Sequence, residues 1–284
     1  MDLTRRFIFR GNASALSGRI YRPQDFFLEA DCASSLTVAG GRSVSRLGAK
    51  QFGNIVRFGS AFTSAEGVFD DTKQAAEMTY GRVAQGSLTT STSVTAELQE
   101  LVIGIRPQLT IHRLRGTLNA KSPAGGGQTP ITVGSDTVLE GVSVDGHSLI
   151  VELNMRLFQQ FSTLAQLIAA ADDSKFVSEH GDCLFMRSTL GGLPAPPPAG
   201  RLVQAGGLTY GTIVKSIRWA DKPYPGAQID HHSLTVKDIG TIFFGEILIS
   251  EVDRRLTMIR FDLGSPDGGI GAGGETQSNG SYSP

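Results

Sequence analysis

The sequence predicts a mainly β protein, an antiparallel β-sandwich or barrel with a helical insertion around residues 155–180. Three observations carry that expectation. Runs rich in Val, Ile, Thr and Phe recur along most of the 284 residues and are punctuated by many of the 35 glycines, as hairpin-connected strands require. The stretch Thr137–Leu153 reads as a β-hairpin, because Asp145-Gly146 can fill both central positions of a type I′ turn, where φ must be positive. Helical periodicity is confined to one region, so the strand–helix alternation of a doubly wound sheet is missing.

Taken in order, Arg5–Arg10 reads as a first strand ended by Gly11-Asn12, and Arg19–Glu29 as an edge strand bent at Pro23. Ser34–Val38 follows, with Gly40-Gly41 as a turn, then Asn54–Phe69 as two strands or one bulged strand, and Met78–Val83 as a further short one. Leu88–Ile105 is a long run of Thr and Ser alternating with small or apolar positions, which suits a pleated surface. In Gln108–Ala120, Leu109, Ile111 and Arg113 alternate with Thr110, His112 and Leu114. In the hairpin, a two-residue turn pairs Val144 with His147, Val142 with Leu149 and Glu140 with Val151.

After Leu153 the spacing changes. Leu157, Phe158, Phe161, Leu164, Leu167 and Ile168 mark one face of a helix, with Ser162 as the cap of a segment over Thr163–Ala171 and a second short helix over Ser174–His180. Strands resume over Leu208–Trp219, Gln228–Val236, Thr241–Ser250 and Arg254–Leu263. Residues 1–264 are therefore expected as one β-rich domain, with a subdivision conceivable at the proline run 191–200, a linker or a long loop. The last stretch, 265–284, is rich in Gly and Ser and poor in apolar residues, and is expected as a disordered, dispensable tail.

A formal net charge of -1 argues against a dedicated nucleic-acid binder, although basic residues outnumber acidic ones in the first sixty positions. The two cysteines, Cys32 and Cys183, are too few for a disulfide framework and are expected as buried thiols in a reducing cytoplasm. No window approaches the apolar length of a membrane helix.

Few residues suggest chemistry. Asp230-His231-His232 is the sharpest polar cluster, but adjacent strand residues face opposite ways and cannot both ligate one metal in regular geometry. Neither a metal nor a cofactor is therefore expected. His180 and Cys183 offer a base and a thiol, yet Cys183 follows a helix C-terminus, where the dipole disfavours a thiolate. Trp219 and Tyr224 flank a proline-containing loop and could stack on a sugar or a partner surface. The expectation is a non-catalytic binding or assembly protein in an intracellular complex, with protein partners or self-association. Its alternatives are a hydrolase or isomerase built on converging His and Asp residues, and a carbohydrate- or small-ligand-binding module.

Overall fold

The computed structural model describes residues 7–22, 25–69, 89–122, 128–170, 173–185, 208–264 and 268–282. The expected strand at Met78–Val83 and the proline run 191–200 lie outside the described residues. The first half comprises β1 (Phe7–Arg22), β2 (Phe26–Leu28), β3 (Ala33–Ser35), β4 (Gly41–Leu47), β5 (Lys50–Phe52), β6 (Val56–Phe58), β7 (Ser60–Phe69), β8 (Thr90–Ile103), β9 (Leu109–Ser122), β10 (Ile131–Val133), β11 (Val138–Val144) and β12 (His147–Leu153). Helices α1 (Met155–Gln160), α2 (Leu164–Ala170) and α3 (Ser174–His180) follow. The second half adds β13 (Leu184–Phe185), β14 (Leu208–Thr212), β15 (Val214–Trp219), β16 (Gln228–Asp230), β17 (Ser233–Val236), β18 (Gly240–Ser250), β19 (Asp253–Leu263) and β20 (Gly268–Tyr282).

These strands form two antiparallel sheets packed face to face in an open sandwich, not a closed barrel. The first sheet runs β13-β14-β18-β19-β20-β1-β2, with β17 also on β18, β16 on β17 and β3 on β1. The second runs β15-β12-β11-β9-β8-β6-β5, with β10 on β9, β7 on β8 and β4 on β7. Ile20, Phe244, Ile247, Leu256 and Phe261 from the first sheet and Leu98, Leu101, Ile111, Leu114 and Leu118 from the second are all buried in the core between them.

The expected disordered tail is the largest correction. Residues 268–282 form β20, which lies between β1 and β19 and pairs with both along its length. The low apolar content that led to the expectation of disorder reflects glycines, and the glycines are what admit the strand here. Gly271 sits opposite Phe261, whose ring occupies the space a side chain would need: a Cβ there would stand 2.1 Å from Phe261 Cζ. An aromatic ring laid over a cross-strand glycine supplies the apolar cover that the glycine lacks. At Gly116 of β9 an added Cβ would come 2.8 Å from Met258 and 3.1 Å from the Gly274 carbonyl, so glycines also let the two sheets approach closely.

Side-chain alternation reverses along a line across the first sheet. In β19, Arg254, Leu256 and Met258 point inward, and so do Ile259, Phe261 and Leu263. The pairing register is the same on both sides, Thr257 with Glu275 and Ile259 with Gly273. The reversal is shared by the neighbours at Gly245 (φ +61°) and Gly274 (φ +65°), and Ala15-Leu16 of β1 are likewise buried in succession. A matching line crosses the second sheet at Glu100 (φ +53°), His112 and Gly141 (φ +64°). Consequently Leu114 is buried and Arg113 faces outward, the opposite of strict alternation through β9.

Smaller corrections concern boundaries. Gly11-Asn12 does not end β1, which continues to Arg22. Gly11 faces the second sheet, where a Cβ would meet Val94 at 2.8 Å. In α2, Thr163 rather than Ser162 forms the reciprocal cap: its hydroxyl accepts from the Gln166 amide while Gln166 Oε1 accepts from the Thr163 amide. Asp173 caps α3 by accepting from Lys175 N at 2.8 Å.

The hairpin is as the sequence reads at its tip. Asp145 and Gly146 have φ of 44° and 84°, and Val144 pairs with His147 and Val142 with Leu149. The expected pair of Glu140 with Val151 does not form: the ladder between the two hairpin strands ends at Val142, next to Gly141, and Val151 pairs with Ile217 of β15. Nothing lies within 4 Å of a Cβ added at Gly146, so Gly146→Val tests backbone strain alone. It should cost on the order of 1–3 kcal/mol in a urea melt; unchanged stability would refute the type I′ geometry.

Candidate functional site

The residues singled out for chemistry occupy separate places. His231 and His232 fill the two-residue turn between β16 and β17, with His231 exposed at φ +50° and His232 buried. Asp230 ends β16 and is exposed. His232 leads to a group that sequence reading missed. Its Nε2 stands 3.7 Å from Glu246 Oε1, and Arg260 donates two hydrogen bonds to the same carboxylate, at 2.7 and 2.9 Å. The Arg260 guanidinium lies 3.7 Å over the Phe243 ring. Burial pushes the Glu246 carboxyl up, but the Arg260 hydrogen bonds and charge, with His232 nearby, outweigh it and hold it at about 2. A carboxylate so tightly held is a poor general base at neutral pH, because its proton affinity is low. The arrangement suits fixing His232 and the outer face of the first sheet.

His180 and Cys183 come together through Asn154, which the sequence did not flag. The Asn154 side chain caps α1 through Oδ1, while its Nδ2 donates to His180 Nδ1 at 3.1 Å and to Cys183 Sγ at 3.4 Å. The thiol donates to the Val214 carbonyl at 3.6 Å and is 2 % exposed. An activated thiolate would need the imidazole itself to take the proton, whereas here the amide bonds to both partners and the thiol proton serves a backbone carbonyl. Native Cys183 should therefore be alkylated far more slowly than in the urea-unfolded chain, as read by mass spectrometry. Rapid modification of the folded protein would show an activated thiolate.

Trp219 and Tyr224 converge on His147, from the other end of the hairpin. Ring centroids lie 6.5 Å apart for His147–Trp219 and 5.6 Å for His147–Tyr224, and His147 Nδ1 is 3.0 Å from the Lys222 carbonyl. Both Trp219 and Tyr224 are half-buried against the core, so much of their area is committed to closing this end of the sandwich. His112 is exposed and bonded to Glu100 at 2.5 Å, on the reversal line. Among the described residues no three His, Cys, Asp or Glu side chains are grouped to hold a metal, and no helix is long and apolar enough to cross a membrane.

The outer face of the first sheet carries two further features. Ile270, Arg19 and Phe27 form a row across β20, β1 and β2 through direct register pairs, with Tyr21 beside Arg19. Phe27 is 64 % exposed, Tyr21 49 % and Ile270 47 %. The Arg19 guanidinium lies 4.9 Å from the Phe27 ring centre and 5.4 Å from that of Tyr21, and Asp25 holds it with bonds of 2.8 and 2.6 Å. Farther along the same sheet, a cleft of about 490 Å³ is lined by Asn12, Ser14, Ser43, Glu275 and Gln277 among others. Ser14 Oγ is buried without a hydrogen-bond partner there, and Arg255 pairs with Glu275 at its edge.

No curated protein and no solved structure matches this chain. The stretch 7–181, covering β1 to β12 and the three helices but not β13 to β20, matches the family described as a domain of unknown function (DUF8256), and the chain belongs to that family.

Proposed function

We propose that this protein is a non-catalytic β-rich binding or assembly protein, a component of an intracellular complex that it joins through the outer face of its first sheet. The observation that carries the reading is the exposed Ile270–Arg19–Phe27 row with Tyr21. Aromatic residues and arginine are the types enriched in the centres of protein interfaces, and large aromatic side chains this exposed leave apolar area to be covered by a partner. The Asp25 carboxylate holds the guanidinium within 5.4 Å of both ring centres, so little side-chain freedom remains to be lost on contact. Stacking orders the patch before any partner arrives.

The test is native mass spectrometry and sedimentation of the untagged protein from its own source, against a Tyr21→Ser/Phe27→Ser variant. The wild type should appear in a stoichiometric assembly, with itself or with another chain, and the variant should be released from it without loss of melting temperature. A wild type that is monomeric and alone, or an assembly that survives in the variant, would overturn the reading.

The cleft beside Ser14 favours a second reading, a module for a small polar ligand. Its hydroxyl, amide and carboxylate lining suits a polyhydroxylated molecule. A panel of mono- and disaccharides that leaves the melting temperature unchanged would remove it.

A further inference from the structure

Arg254 is the anomaly of the interior. It sits on β19 facing the space between the sheets and is 1 % exposed. One Nη2–H donates to the Phe161 carbonyl at 2.6 Å, where α1 ends, but Nη1 is buried with no hydrogen-bond partner, and no carboxylate pairs with the guanidinium among the described residues. Burial lowers its pKa to about 10, which leaves it charged at neutral pH. A buried, unpaired charge is strongly destabilising, and every such group in a folded protein calls for a counter-group.

What surrounds Arg254 is a set of hydroxyls in the same condition. Ser278, its direct partner on β20, is fully buried and its Oγ has no partner; Thr276, two residues along the same face, is likewise buried and unpartnered at Oγ1. Ser278 also pairs with Gly11 on β1, and a Cβ at Gly11 would lie 3.3 Å from Thr92. That contact sets β1, beside this end of β20, against the start of β8, where Thr90 Oγ1 is again buried without a partner. Side-chain donors of β19 and β20 thus share one inner face of the first sheet, with the end of α1 at Arg254.

We propose that Arg254, with the hydroxyls of Ser278 and Thr276, binds one small monovalent anion of the halide class inside the sandwich. Each of these groups can donate, and a spherical anion can accept from all of them at once. A single guanidinium balances one negative charge, which disfavours phosphate or sulfate. Full burial disfavours any ligand larger than a few atoms. The anion would sit where α1 meets the first sheet, so its binding ties the helical insertion to the sandwich.

Thermal unfolding of the full chain is followed as sodium chloride replaces sodium gluconate at constant ionic strength. The melting temperature should rise saturably with chloride and with bromide. Ser278→Ala should raise the half-saturating concentration several-fold, and Arg254→Met should abolish the dependence. Crystals grown in bromide should show an anomalous peak within hydrogen-bonding distance of Arg254 Nη1. A wild type indifferent to chloride, an equal dependence in Ser278→Ala, or bromide found only at the surface as an adventitious ion would each overturn the proposal. If Arg254→Met does not fold, the Ser278→Ala titration and the bromide peak still decide it.

Discussion

A chain ending at Gly264 is expected to fail to fold. β20 is an interior strand, held between β1 and β19 along its length. Its removal separates β1 and β2 from the rest of the first sheet, exposes two new strand edges and uncovers Phe261. Losing on the order of ten ladder hydrogen bonds at about 1 kcal/mol each matches the whole stability of an ordinary domain, before any lost packing is counted. The truncated protein should show no cooperative melt and no near-ultraviolet circular dichroism, and should elute as an aggregate. A cooperative transition within a few degrees of the full chain would show that β20 does not contribute to the fold. Gly271→Val makes the same point within the intact chain, because the new side chain would overlap the Phe261 ring and must expel it from the core.

The error at the carboxyl end has a physical source. Low apolar content signals disorder only when a segment must supply its own buried surface, and β20 instead accepts surface from its neighbours: Phe261 over Gly271, and Ile259 and Leu98 around Gly273. A single sequence does not show which distant aromatic residue will cover a glycine. The hairpin tip, the helical insertion and the β class were legible because each rests on local rules of turn, cap and period. The reversal lines were not, since Ile259, Phe261 and Leu263 set a phase that, extended backwards, turns Arg254 outward, whereas it is buried. The same limit governed the site residues. His232 and Cys183 were visible as residue types, but Glu246, Arg260 and Asn154, which decide what they do, come from strands or helix ends far away in sequence. Cross-strand partners are set by topology, which residue spacing alone does not encode.

Arg260→Met is expected to cost about 3–5 kcal/mol at neutral pH, the range for removing one partner of a buried ion pair. Glu246 is 5 % exposed and, among the described residues, keeps only His232, at 3.7 Å, once the guanidinium is gone. The pH dependence should change sign with it. In the wild type the Glu246 carboxyl is held at about 2, below its unfolded value of 4.5. Its contribution is therefore present above pH 4.5 and lost as pH falls toward 2, amounting to about 3 kcal/mol at 1.36 kcal/mol per pKa unit. Without Arg260, burial dominates and raises the carboxyl above its unfolded value. Acidification then protonates the folded state first and stabilises the variant relative to its neutral-pH form. Glu97, beside Arg113 and Arg115, is likewise held below its ordinary value, so the comparison must be a cycle of wild type, Arg260→Met, Glu246→Gln and the double variant. Urea melts at pH 7 and pH 4 should give a coupling energy that shrinks as the pH is lowered, with the double variant more stable than Arg260→Met at pH 7. Equal pH slopes in wild type and Arg260→Met would mean that the carboxylate is already hydrated in the folded protein, and that the pair does not hold this face of the sheet.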